Sequence, residues 1–226
     1  MAPLVLAKRA TGLRERMDDP ACSLERLHTT YRHFQVVNQV LAGWRRIYER
    51  WLRPYLTSRP ATLLDVGCGG GDVMRRLALW AQQDGLELRI TAIDPDARAM
   101  SYVGERQFPP NITFRQAHTS SLDERFDVVI SNHLLHHLTH TELLRLCEDS
   151  SRLSRKIVVH NDIRRGDLAY LGFALTRLLF HRSFITEDGL ASIRRSFTPD
   201  ELRRSVPAGW TVETLAPYRN LLIHRP

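Results

Sequence analysis

Between Gly67 and Gly71 the chain has four glycines in five positions, interrupted only by Cys68, and an aspartate, Asp65, stands just before them. Glycine lets the backbone take conformations that other residues avoid and lets a ligand come up against the main chain. Ahead of the loop, Thr62–Val66 reads as a buried strand; behind it, Asp72–Gln83 reads as a helix. A glycine loop in that position is a cradle for a cofactor, and its neighbours decide which one. A dinucleotide fingerprint needs a third glycine where Asp72 stands, and a phosphate-binding loop needs a Gly-Lys-Ser/Thr ending that this stretch lacks. An acidic residue followed by such a loop suits a ligand carrying an ammonium and a sulfonium rather than phosphates.

Ligands of doubly wound sheets sit beyond the carboxyl ends of the strands, so further chemistry is expected at the other strand ends. Leu88–Ile93 ends at Asp94-Pro95-Asp96, with Asp94 23 positions after Gly71. A carboxylate there can accept from both hydroxyls of a ribose; its plainer role is a helix N-cap, shared between Asp94 and Asp96. Ile112–Ala117 leads into His118, Phe126–Ser131 into Asn132 and His133, and Ile157–His160 into Asn161 and Asp162. His133, one step past its strand, is a candidate general base, because a neutral imidazole takes a phenol-like proton near neutral pH. His160 and Asp162 are rival bases whose plainer role is a hydrogen-bonded turn. His133, His136, His137 and His140 would share one face of a helix, which raises zinc. No carboxylate or thiolate is identifiable in the sequence to complete such a set, so no metal is expected.

These residues are positioned by alternating strand and helix signals, the pattern of an α/β fold with a doubly wound, mostly parallel sheet. Ala97–Gln107 and Thr139–Arg152 read as helices, Trp210–Leu215 and Asn220–His224 as closing strands. Residues 1–20, with the Asp18-Asp19-Pro20 break, are expected to be poorly ordered. Residues 21–58 are a helical block: Ser23 is a cap, Leu24, Leu27, Tyr31 and Phe34 follow helical spacing, and a second amphipathic stretch runs from Val37 to Trp51. Such stripes are either core or a lid over the cofactor mouth that contributes Tyr31, Arg32, Asn38 or Trp44. Residues 59–226 then hold the cofactor domain. Its alternation is interrupted at 163–197 by a helical cover rich in Leu168, Tyr170, Leu171, Phe173, Leu175, Leu178, Leu179 and Phe180, broken by Arg177 and His181 and too short to span a bilayer. Thr198-Pro199-Asp200-Glu201 restarts it with a strong helix opening.

Asp65-Val66-Gly67-Cys68-Gly69-Gly70-Gly71 resembles the first motif of class I S-adenosylmethionine (SAM) dependent methyltransferases. Phe126–Leu138 resembles the fourth-strand motif of their small-molecule branch, related to quinone-biosynthesis methyltransferases, and the similarity of strand ends covers about residues 60–160. Asn161–Arg165 and Arg194–Leu202 look like segments of bacterial methyltransferases of polyketide or quinone pathways. The resemblance implies a seven-stranded, Rossmann-like sheet with SAM as the cofactor. It puts Asp65 among the cofactor-binding residues, Gly67, Cys68 and Gly69 at the methionine portion, Asp94 on the ribose and Pro95 near the adenine. Ala117 and His118 would flank the adenine amino edge, and Asn132 would approach the methionine end. Many relatives carry an acid where His118 stands, a departure that weakens that assignment. The implied activity is methylation of a small aromatic or lipidic hydroxyl acceptor, such as a phenol, quinol or polyketide of secondary metabolism, deprotonated by a strand-end histidine.

Composition bounds the alternatives. The formal charge is +7, but only Lys8 and Lys156 among the 32 cationic residues are lysines, and the arginines are scattered rather than clustered in a nucleic-acid footprint. An rRNA or tRNA methyltransferase is therefore the second reading; a non-catalytic SAM-fold partner subunit is the third. Cys22, Cys68 and Cys147, widely spaced, fit a reducing compartment, and Ala2–Ala7 lacks the charge and length of a signal peptide, so a cytoplasmic location is expected.

Overall fold

The structure, a computed structural model, describes residues 6–178, 180 and 182–226. Ala2, Pro3, Leu179 and His181, named above, lie outside the described residues, and of Arg177 and Leu178 only the backbone is described.

One sheet organises the chain. Its strands are β1 (Ala61–Val66), β2 (Leu88–Asp94), β3 (Ile112–Gln116), β4 (Phe126–Asn132), β5 (Ser154–Ile163), β6 (Trp210–Leu215) and β7 (Arg219–His224). They lie in the order β3-β2-β1-β4-β5-β7-β6; the first five are parallel, and β7 runs antiparallel between β5 and β6. The strand order reverses between β1 and β4, and a doubly wound sheet opens its ligand crevice at such a point. β5 is longer than the apolar run Ile157–His160 because β7 keeps pairing with it as far as Ile163 opposite Arg219. Hydrophobic patterning cannot register that backbone partner.

Eight helices accompany the sheet among the described residues: α1 (Leu24–Leu41), α2 (Trp44–Ile47), α3 (Asp72–Gln83), α4 (Ala97–Gly104), α5 (His140–Leu153), α6 (Asp167–Ala174), α7 (Ile185–Arg195) and α8 (Pro199–Ser205). Caps set several of their starts. Ser23 accepts from the Arg26 N–H, and Thr198 and Glu201 close a reciprocal capping box at α8. α4 stops at Gly104 rather than Gln107, glycine being a poor helix residue ahead of the Pro109-Pro110 break. Side chains alternate across the sheet: Leu63, Val128, Ile130, Ile157 and Val159 pack on one face with α3 and Trp44–Leu56, while Leu64, Val129 and Val158 pack on the other with α5 and α8.

Residues 6–20 pack against the rest of the chain, although the sequence predicts poor order over 1–20. Leu6 and Glu15 are buried, Ser192 donates to Glu15, and the Asp188 carboxylate accepts from the Arg16 and Met17 N–H groups at 2.7 and 3.0 Å. No helix among the described residues is long and apolar enough to cross a membrane.

Candidate active site

A cavity of about 620 Å³ opens beyond the carboxyl ends of β1, β2 and β4. Its two ends are built differently.

At the first end the loop Gly67–Gly71 turns sharply between β1 and α3. Gly67 and Gly69 have φ of 72° and 49°, the left-handed region that glycine enters without penalty. A side chain on Gly70 would come within 2.9 Å of Tyr31, so α1 sits directly on the loop. Asp94 fixes the loop from β2, its Oδ2 accepting from Gly69 N at 2.9 Å while Oδ1 accepts from Asp96 N at 2.9 Å. Asp96 is the N-cap of α4, so the two aspartates divide the roles of cap and site residue. Asp65 is 3 % exposed, and its Oδ1 has no hydrogen-bond partner among the described residues. Burial, reinforced by Asp72 and Asp94, pushes its carboxyl well above the usual range. Burial raises Asp72 and Asp94 as well. Three crowded carboxyls beside bare backbone form an acceptor-rich cradle that a cationic ligand would relieve.

Asn38, on α1, joins this end to the other. Its Nδ2 donates to both Asp72 oxygens at 3.3 and 3.1 Å. Its Oδ1 accepts from Asn132 Nδ2 at 3.2 Å and faces His133 Nε2 at 3.0 Å. The amide nitrogen is committed to Asp72, so the oxygen must accept from His133, which places the imidazole proton on Nε2 and the lone pair on Nδ1. Asn132 Oδ1 in turn accepts from Asn161 and from Arg219, and Arg219 Nε donates to Asn161 at 2.9 Å. Burial, with Arg219 close by, holds His133 well below its ordinary pKa, so the ring is neutral. His133 also has a φ of 57°, rare for a residue with a side chain, and its N–H is anchored on Asn161 O at 3.0 Å.

The second end is apolar, lined by Phe34, Leu41, Leu168, Phe173 and Ile193, with a buried ionic cluster in its wall. His136 Nδ1 donates to Asp162 Oδ1 at 2.7 Å, and His136 N to Asp162 Oδ2 at 2.7 Å. On its other side His136 Nε2 lies 3.2 Å from Glu15 Oε1, close but not aligned as a hydrogen bond. Although burial opposes the charge, the two carboxylates raise His136 to about 9. Arg195 donates to His137 O and lies 3.8 Å from Glu15 and 3.6 Å from Asp18.

Residues 63–156 match the family model described as a methyltransferase domain. The sheet order and the glycine loop are those of the class I methyltransferase fold. Among curated proteins the sequence has no match. Solved structures share this architecture at low identity. Human N-acetylserotonin methyltransferase in complex with SAM superposes with a TM-score of 0.64 at 14% identity, over 90% of this chain and 56% of that one. The present chain thus spans little more than half of that enzyme's length. The plantazolicin methyltransferase BpumL in complex with S-adenosylhomocysteine (SAH) gives 0.61 at 12% identity, over 89% of this chain and 95% of that one. A SAM-dependent methyltransferase from Aquifex aeolicus gives 0.57 at 14%, over 88% and 97%.

Asp65, Gly67, Cys68, Gly69, Asp94, Pro95, Asn132 and His133 all line the cavity. Ala117 and His118 do not; His118 precedes the turn Thr119–Ser121, and its carbonyl accepts from Ser121 Oγ. His160 is corrected as a candidate base. Side-chain alternation turns it to the opposite face, where it is fully buried, holds Ser131 Oγ at 2.8 Å and stacks on Trp210. Burial drives its pKa down to about 3. Asp162 likewise does not line the cavity; its carboxylate is taken up by His136 and by the Ile163 N–H. The four histidines do not share a helix, because His133 sits in a left-handed turn, His136 and His137 in a 3-10 turn, and His140 begins α5. The sequence reading missed Glu15, Asp18, Arg195 and Arg219 at the site. None belongs to a motif, and Glu15 comes from the segment whose charge argued for disorder.

Proposed function

We propose that the protein is a SAM-dependent methyltransferase acting on a small aromatic or lipidic hydroxyl compound. The observation that carries this reading is the division of the cavity, with an acceptor-rich glycine cradle at one end, an apolar wall at the other and the neutral His133 between them. In this reading Asp65, through its unpaired Oδ1, takes the ammonium of the cofactor, and Gly67, Cys68 and Gly69 lie against its methionine portion. Asp94 keeps lone pairs free for the ribose after accepting from Gly69 and Asp96, and Pro95 covers the adenine. SAM supplies a methyl group already activated by its sulfonium, so the protein's work is alignment and removal of a proton.

His133 is the proposed base. The Asn38 contact fixes its tautomer, and Nδ1 keeps the lone pair that accepts the acceptor's hydroxyl proton. Leu24–Leu41 acts as the lid through Tyr31, Phe34 and Asn38, and residues 163–197 form the acceptor cover. Phe34, Leu168 and Phe173 favour a flat or greasy molecule. An RNA acceptor fits less well, because Arg98, Arg165, Arg195 and Arg219 are engaged in contacts within the protein. The test is transfer of label from methyl-labelled SAM to a panel of phenols and quinols, run beside total RNA. Labelling of a phenolic or quinolic hydroxyl is expected. Labelling of RNA alone would sink the reading.

A further inference from the structure

We propose that Glu15, His136 and His137 form a binding site for one divalent transition-metal ion, with zinc the best fit, opening on the apolar end of the cavity. One ligand atom from each of the three lies within 4.8 Å of the others. His136 Nε2 is 3.2 Å from Glu15 Oε1, and His137 Nε2 is 3.7 Å from Glu15 Oε2. A tetrahedral ion with bonds of ~2.0–2.1 Å separates its ligand atoms by roughly 3.4 Å, within that spread.

The backing of the two rings points the same way. His136 Nδ1 is held by Asp162 at 2.7 Å and His137 Nδ1 by Asp18 at 3.2 Å. A carboxylate on Nδ1 holds a proton there, so an incoming metal ion would displace the proton of Nε2 and bind that nitrogen, the arrangement that supports metal-bound histidines. Both Nε2 atoms converge on Glu15. His136 is 2 % exposed, and its Nε2 has no hydrogen-bond partner among the described residues. Around the site Glu15 and Asp18 face the guanidinium of Arg195, and Asp162 backs His136 from the other side.

Two imidazoles and a carboxylate suit zinc better than magnesium or calcium, which prefer all-oxygen sets. A three-ligand set that leaves a coordination position open is characteristic of reactive rather than structural zinc. Glu15, His136 and His137 all line the cavity, so the open position would take an oxygen of the acceptor. That last role rests on the methyltransferase reading; the site itself does not.

The test uses tag-free protein stripped with a chelator, titrated with zinc chloride by calorimetry and with cobalt(II) by its ligand-field absorption. One ion per chain is expected. His137→Ala and Glu15→Gln should each weaken binding at least roughly tenfold, while His140→Ala, next along the chain but outside the set, should not. Circular dichroism of each variant separates lost ligation from lost folding, and His137, partly exposed, is the variant expected to keep the fold. Absence of stoichiometric binding by the wild-type chain, or equal affinity in the Glu15 and His137 variants, would overturn the site. SAM titration of the same samples keeps the two readings apart. SAM binding without zinc binding removes only the metal site, and zinc binding without SAM binding removes only the methyltransferase reading.

Discussion

The two ends of the cavity are built from different distances along the chain. The glycine-loop end comes from Asp65–Asp72 and Asp94–Asp96, joined by one strand pairing, β1 to β2, and it consists mostly of backbone. The apolar end joins Glu15 and Asp18, Asn38, His133 to His137, Phe173, Arg195 and Arg219, with Asp162 behind His136, from nearly the whole length of the protein. A main-chain cradle is specified by a short motif, whereas a constellation of side chains exists only after the chain has folded around it. In the proposed reading, recognition of the cofactor therefore resides in about a dozen residues, while acceptor choice is spread over elements distant in the chain.

Substitutions at each end should separate the two. The largest effect is expected at His133: His133→Ala should lower methyl transfer by ~10²–10⁴-fold while leaving SAM affinity within a factor of about two. An equal loss of SAM binding would place His133 with the cofactor instead. Asp94→Ala should do the reverse, weakening SAM binding by roughly 10–100-fold in calorimetry through the loss of charge-assisted hydrogen bonds. Wild-type affinity in that variant would end the ribose assignment. Asn38→Ala strikes the junction. It leaves Asp72, Asn132 and His133 without their partner, should cost about 1–3 kcal/mol in denaturant unfolding, and should depress both SAM affinity and turnover. Thr198→Ala, which removes the α8 cap far from either end, should cost about 1 kcal/mol of stability and change neither function.

The smallest signal sharpens the cofactor end. Asp65 is raised in pKa by burial and by Asp72 and Asp94, so the free protein favours its protonated form more than an exposed carboxyl would. A raised carboxyl pKa stabilises the fold at pH below the unfolded value, and the contribution fades as pH rises through the folded one. A bound cation reverses the shift, so SAM binding should release a fraction of a proton. The calorimetric enthalpy should therefore vary with the ionisation enthalpy of the buffer, and this variation should shrink in Asp65→Asn.

The difference in chain distance also explains what was legible. The loop Gly67–Gly71, the strand-end aspartates and the cap at Thr198 are local patterns, and they fall where the sequence puts them. His160 stands at a strand end like His133, but a residue's face depends on alternation and on what covers it, and Trp210 from β6 covers His160. The charges of Glu15 and Asp18 argued for a solvated tail because their partners, Arg195, His136 and His137, lie more than a hundred residues away.

By itself, then, the sequence determined the alternating α/β order and the glycine cradle with its acidic neighbours, since secondary structure and close backbone approach follow from local residue types. Only the tertiary structure decided which histidines face the cavity, that Asn38 couples its two ends, and that a carboxylate from just before the turn Arg16–Asp18 meets His136 and His137. The missing zinc partner was not identifiable along the sequence because Glu15 reaches the histidines only through the packing of the residues before α1 against α7.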